Sequence, residues 1–184
     1  MVILCFVQLI SCSPEGKKTS GDHAYWSVQE KLEDTWKRLE DSGVMMKRQM
    51  FLGDEVLADT VPEPAWREEM RLFKSINISP VDWKGGYRIN VGTHSFDEEN
   101  LLKRWSFQAV DENMELRTLT ANLDENGHLR RLDAFLYERN LFRKNGKRLW
   151  YDVQKGYRVE IQDTLLFFGD PSTTKIEVLF ERKK

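Results

Sequence analysis

Cysteine is nearly missing from this chain of 184 residues, and the two it has, Cys5 and Cys12, both fall within the first dozen positions. From residue 13 onward there is no thiol. That body of the chain can form no internal disulfide, no cysteine-ligated metal site and no cysteine nucleophile. Histidine is scarce as well. His23, His94 and His128 stand at no spacing that would pair two of them on a metal, and no His-Glu-x-x-His run occurs. A Gly-x-Ser-x-Gly elbow and a glycine-rich phosphate loop are absent too, and Gly85-Gly86 reads as a break between elements. Nowhere do the ~18 to 20 apolar residues of a bilayer-spanning helix run together. Charge of one sign does not dominate either: the formal net charge is −2, which gives no field to gather nucleic acid. No cofactor, no metal and no nucleic-acid partner are expected, and no catalytic constellation is recognisable.

What is present suits one folded domain with a real core. Apolar residues make up 40% and charged ones 32%, with six tryptophans and ten phenylalanines. The chain opens differently from its body. Residues 1–11 carry no charge, and positions 2–10 are apolar apart from Gln8. That length fits the apolar core of a secretory signal and is too short to span a bilayer. The run is not preceded by the Lys or Arg that such a signal normally carries.

The block Leu9-Ile10-Ser11-Cys12 resembles a bacterial lipobox: an aliphatic residue at −3, a small one at −1, then cysteine. The resemblance implies diacylglycerol on the Cys12 thiol, cleavage before it, and acylation of the new amino terminus. Small residues fit a peptidase cleft, and a thiolate is the nucleophile able to take the lipid. On this reading 1–11 is a lipoprotein signal peptide, 12–23 an acylated cysteine and flexible tether, and 24–184 a single α+β domain. Several buried methylenes per acyl chain, at ~0.8 kcal/mol each, make such an anchor effectively permanent.

Periodicity organises the rest. Val28, Leu32, Trp36 and Leu39 recur at spacings of four, four and three, which predicts an amphipathic helix ending at Ser42-Gly43. Gly53-Asp54 between two strand-like runs predicts a hairpin, 44–51 with 55–61. Pro64, Trp66, Met70, Phe73 and Asn77 suggest a second helix closed by Pro80. Beyond Gly86 the period becomes two, through Tyr87-Ile89-Val91, Trp105-Phe107-Ala109, Leu119-Ala121-Leu123, Tyr157-Val159-Ile161 and Ile176-Val178-Phe180. Asn126-Gly127 and Asn145-Gly146 read as hairpin turns. The runs 132–137 and 165–168, apolar on both faces, are expected near the sheet centre or under helices. The expected fold class is α+β: two N-terminal amphipathic helices packed on a curved antiparallel meander, half-barrel-like in its extreme form.

In its order of motifs the chain resembles a family of uncharacterised small lipoproteins from Bacteroidota. The matching pieces are Tyr25-Trp26-Ser27-Val28-Gln29, Phe51-Leu52-Gly53-Asp54-Glu55, Trp66-Arg67-Glu68-Glu69-Met70-Arg71-Leu72-Phe73 and Ile76-Asn77-Ile78-Ser79-Pro80-Val81-Asp82-Trp83. Ser75 stands where relatives often carry an acid. The resemblance implies a localisation and an architecture, and no catalytic residue.

Candidate surface chemistry is sparse. Arg130, Arg131, Arg139, Arg143, Lys144, Lys147 and Arg148 gather on neighbouring strands, as a patch for anionic envelope polymers or as edge strands protected by charge. Trp150 is out of phase with Leu149 and Tyr151, so its indole needs cover from a helix, a partner or a ligand. Trp150, Arg143 and Arg148 are therefore the candidate ligand or partner surface, and Cys12 the lipid-attachment residue. The acids Asp97-Glu98-Glu99 and Asp124-Glu125 read as loop charges. Together these features point to a non-enzymatic binding module, lipid-anchored in the envelope of a Gram-negative bacterium, on the outer membrane in preference to the inner. Its partners would be the membrane and either another envelope protein or an apolar ligand. One alternative is an amphiphile carrier with a cavity between sheet and helices. Another is an enzyme using carboxylates or a metal, which requires two acids to converge in a cleft.

Overall fold

A computed structural model of the protein describes residues 27–61, 68, 70–78, 82, 85–97, 100–166 and 170–182. The chain enters through helix α1 (Val28–Asp41). Ser27 caps it in an extended conformation, its hydroxyl accepting from the Glu30 N–H at 3.3 Å. Val28, Leu32, Thr35, Trp36 and Leu39 form the buried stripe. At the other end the Ser42 N–H donates back to the Arg38 and Leu39 carbonyls. Gly43 then takes a left-handed φ of 64° that turns the chain into the sheet.

Nine strands follow: β1 (Val44–Leu52), β2 (Glu55–Val61), β3 (Tyr87–Asp97), β4 (Asn100–Ala109), β5 (Leu116–Leu123), β6 (Leu129–Arg139), β7 (Arg143–Asp152), β8 (Gly156–Leu165) and β9 (Ser172–Arg182). All pair antiparallel in one sheet, ordered β2-β1-β9-β8-β7-β6-β5-β4-β3. β3 to β9 form a seven-strand meander, and the early hairpin joins it because β1 pairs with the last strand in register Met46↔Phe180, Arg48↔Val178. The sheet is open, with β2 and β3 at its edges.

Register assigns the two faces. On the inner face Phe107, Leu119, Ala134, Leu149, Val159 and Ile176 form one cross-strand row. Trp105, Ala121, Leu132, Tyr151, Tyr157 and Val178 form the next. Most of these are fully buried. They pack against the α1 stripe and against Phe73, Ile76 and Ile78, also buried, in one continuous core.

The expectation of two helices packed on the sheet is not met. Among the described residues α1 is the one full α-helix, with isolated helical residues at Glu68, Asp82 and Gly85, and 61% of the chain is strand. In the second segment Met70–Phe73 is a 3-10 turn, and the Ile76 N–H donates to the Phe73 carbonyl at 3.0 Å. Pro64, Trp66 and Pro80 lie outside the described residues. The physical reason is visible in the buried set: Phe73, Ile76 and Ile78 are spaced three and two, which suits a strap lying flat on a sheet as well as it suits one helical turn. A short helix owes its existence to packing more than to propensity, and here the sheet needs only three side chains from this segment.

Two turn expectations also change. Gly127 (φ 75°) does make the β5–β6 turn, but Asn145-Gly146 lies inside β7. The β6–β7 turn is instead built on Asn140, whose Oδ1 accepts from the Phe142 and Arg143 N–H groups, both at 2.9 Å. The run 165–168 is not a buried strand at its start: Leu165 ends β8 and is exposed, while Phe167 and Phe168 lie outside the described residues.

Candidate functional site

Cys12, His23, Trp66 and Trp83 lie outside the described residues. Trp150 stands where parity puts it, on the outer face, opposite Asp133 of β6 and Arg158 of β8. It is half-buried in a recess of about 270 Å³ walled by Asp133, Arg148, Arg158 and Glu160. Its cover therefore comes from its own sheet. Arg148 lies over the Phe135 ring at 5.9 Å, and Arg158 pairs with Glu177 at 2.8 Å. Arg143 is on the opposite face, where it clasps Asp163 with two hydrogen bonds, so the three sequence candidates do not converge.

The cation cluster disperses in the same way. Arg130 pairs with Asp124 and Arg131 with Asp152. The Lys147 ammonium donates to the Leu72 carbonyl at 2.9 Å and to Ser75 Oγ at 3.3 Å, tying the strap to the sheet. These strands are interior to the sheet, which removes the edge-protection reading. His94 falls within β3, and His128 sits at the β5–β6 turn with Nδ1 3.5 Å from Asp124.

A candidate binding groove lies beside α1 instead. A groove of about 520 Å³ runs between the helix and the strap. Leu32, Trp36 and Phe73 form its floor, and Glu33, Lys37 and Lys74 stand on its rim. The floor is one side of an aromatic cluster. Trp36 lies 6.0 Å from Tyr157, 6.4 Å from Tyr151 and 6.4 Å from Phe180, ring centre to ring centre. Phe73 meets Tyr157 edge-on at 5.5 Å.

Inside this cluster two polar atoms have no hydrogen-bond partner: Trp36 Nε1 and the Tyr151 hydroxyl. An unpaired buried donor costs ~1 to 3 kcal/mol, and native interiors rarely leave one without a cause. Burial pushes the Tyr151 hydroxyl well above the ordinary tyrosine range, the Asp152 charge adding to it and Arg38 opposing. The hydroxyl is thus a neutral donor at every ordinary pH. Of the two, only Trp36 lines the groove, and Tyr151 is fully buried away from it; an apolar floor with charge at the rim matches a molecule that has an apolar chain and a polar head. Sequence reasoning treated Trp36 as core filler. Its one available signal was that Trp and Tyr each bring a donor needing a partner wherever they are buried.

A second cluster lies at the start of β5. Burial, the nearby Glu138 charge and a hydrogen bond shared with Glu138 all raise the Glu115 pKa, with Lys147 opposing. Burial lowers that of Lys147, with Glu115 opposing. These two acids do come together, yet both are exposed. Among the described residues no group of three or more His, Cys, Asp or Glu is placed to hold a metal ion. No helix among them is long and apolar enough to cross a membrane. Compared with known protein families and with curated proteins, the chain matches none.

Proposed function

We propose that the protein is a non-enzymatic, lipid-anchored binding protein of the bacterial envelope that takes an amphiphilic molecule in the groove between α1 and the strap. The observation that carries the binding half is the groove floor of Leu32, Trp36 and Phe73, backed by the unpaired Trp36 indole N–H. An apolar chain on that floor would exclude water, and a small shift of the indole would let an acceptor on its head take the Trp36 N–H. The anchoring half rests on Leu9-Ile10-Ser11-Cys12 and the polar stretch that follows it. Tethering would hold the groove near a bilayer, where amphiphiles are concentrated.

Titration with a dansyl-labelled fatty acid, a fluorescent amphiphile whose carboxylate accepts hydrogen bonds, tests the groove. Saturable uptake is expected, and Glu33→Trp, which fills the groove from an exposed helix position, is expected to reduce it roughly tenfold with the circular dichroism spectrum unchanged. Equal uptake by the variant refutes the site. Intact mass of the native protein tests the anchor: a chain beginning at an acylated Cys12 supports it, and one retaining Met1 refutes it.

A further inference from the structure

Antiparallel pairing sends alternate turns to opposite ends of the sheet. The β1–β2, β4–β5, β6–β7 and β8–β9 connections lie at one end, away from the β5–β6 and β7–β8 turns beside α1. Among the described residues eight large apolar side chains stand exposed, and seven of them are at that single end; only Leu179 is elsewhere. Leu52, Val56 and Leu57 flank the β1–β2 turn. Leu141 (78% exposed), Phe142 (68%) and Leu165 (51%) project from the β6–β7 turn and the adjoining end of β8. Those last two elements are stitched together where the Leu166 N–H donates to the Phe142 carbonyl at 2.8 Å. Scattered exposed apolar residues are ordinary; a set gathered at one end of a molecule is not.

We infer that this end is a bilayer-contacting tip, with Leu141, Phe142 and Leu165 entering the headgroup–acyl boundary. Three observations choose a membrane as the occupant. The apolar side chains sit on narrow hairpin ends, a shape that enters a lipid layer and offers little area to a protein. Arg139 and Lys144 are paired across the hairpin immediately behind the tip. Neither is in an ion pair among the described residues, and long cationic stems of this kind reach back to phosphate level. The chain from Cys12 to Ser27 has fifteen peptide steps, a reach of up to ~50 Å, against ~36 Å for the longest strands. An anchor at Cys12 therefore lets this end meet the bilayer that holds it. That last point rests on the lipid-anchor reading; the apolar end itself does not. Acids such as Glu138, Asp163, Asp54 and Asp170 share this end, so contact is driven by apolar burial rather than by charge.

The test uses the full chain carrying Cys5→Ser and Cys12→Ser, floated with vesicles of phosphatidylethanolamine and phosphatidylglycerol. Flotation is expected, with little loss when salt is raised to about 0.5 M. Leu141→Asp with Phe142→Asp is expected to lower it roughly tenfold or more, with an unchanged circular dichroism spectrum. A polarity-sensitive fluorophore on Leu141→Cys is expected to shift to the blue on vesicles, and one on Gln154→Cys, at the opposite end, to stay as in water. Flotation unaffected by the double substitution overturns the inference, as does a shift at position 154 in place of 141. A dimer in sedimentation that the same double substitution dissolves also overturns it, since the tip would then be a surface between copies. The anchor is read separately, by the mass of the native chain: an acylated Cys12 with a position-141 probe left in water sinks the tip alone.

Discussion

Gly156→Ala is the sharpest stability test of the sheet. Gly156 opens β8 with φ 128° and lies opposite Asp152 on β7 and Leu179 on β9. A Cβ there would come 1.8 Å from the Val178 carbonyl oxygen, 2.8 Å from its carbon and 3.1 Å from the Leu179 Cα. These are backbone atoms of a neighbouring strand, so no rotamer change relieves the overlap. Holding a non-glycine residue in this region costs ~1 to 3 kcal/mol. Separating the strands sacrifices one or two local backbone hydrogen bonds at ~1 kcal/mol each. The sum is roughly 2 to 5 kcal/mol, a large part of the ~5 to 15 kcal/mol that holds a domain folded. At ~2 to 4 °C per kcal/mol for a chain of this size, the melting temperature should fall by about 4 to 20 °C.

A companion substitution separates strain from collision. Gly53→Ala keeps the unfavourable dihedral (φ 60°) but meets nothing within 4 Å, so it should cost only ~1 to 2 kcal/mol. Urea unfolding of both variants gives the comparison. If Gly156→Ala loses no more than Gly53→Ala, β9 does not approach the start of β8 as described and the registration of those strands is wrong.

Further outcomes follow from single residues. Asp152 is 3% exposed and accepts from Arg131 Nε at 2.6 Å and from the Gln154 N–H at 2.9 Å. Asp152→Ala should cost ~2 to 4 kcal/mol in a denaturant titration. Ser27→Ala removes the α1 cap and should cost ~1 kcal/mol, read in the same way. The hydrogen bond from Arg158 holds Glu177 below its ordinary value of 4.5. Its contribution is present above that value and is lost as pH falls through the lower folded one, so Glu177→Gln should flatten the acid limb of a stability–pH profile. Glu115 behaves oppositely: with its folded pKa raised by burial and by Glu138, stability falls as pH climbs from 4.5 through the raised value. Glu115→Gln should therefore gain stability at neutral pH and none in acid, seen as a midpoint shift that vanishes below about pH 4.

Physical rules of short range made α1 and most strands readable. The stripe of Val28, Leu32, Trp36 and Leu39 needs one period, and the stop at Gly43 needs only neighbours. Alternation named the inner residues of β5, β7, β8 and β9 and put Trp150 outside. The same alternation divides the cations: Arg143 and Lys147 share parity with Leu149, so they point inward, while Arg148 shares parity with Trp150. Parity along β7 is therefore enough to split the patch between two faces. Other features depend on which strands meet, and periodicity says nothing of that. β9 lies between β1 and β8, and no local pattern in its sequence selects β1 over an open edge. The strap illustrates the same limit, since three apolar residues at short spacing fit a helix or a flat crossing equally, and the sheet beneath decides. The orphaned Trp36 and Tyr151 atoms required knowing what surrounds them from four different elements.

The misplaced turn had the largest functional consequence. Asn-Gly is a strong hairpin signal because a two-residue primed turn needs positive φ, yet Asn140 makes a competent turn through its side chain, accepting two backbone N–H groups without any glycine. Nothing in the sheet requires glycine at 146, where a Cβ would stand 3.7 Å from the Phe135 ring, ordinary contact. Placing the turn at 145–146 carries Leu141 and Phe142 into a strand, where an apolar pair looks like core. Placing it at Asn140 puts them on a tip, and because each strand reverses the last, the position of every other tip is then determined. The β8–β9 connection then falls at the same end, together with Leu165, and the β1–β2 turn with Leu52 joins it because β1 pairs antiparallel with β9. The gathering of exposed apolar side chains at one pole is thus already implicit in the order of the strands once a single hairpin is registered correctly.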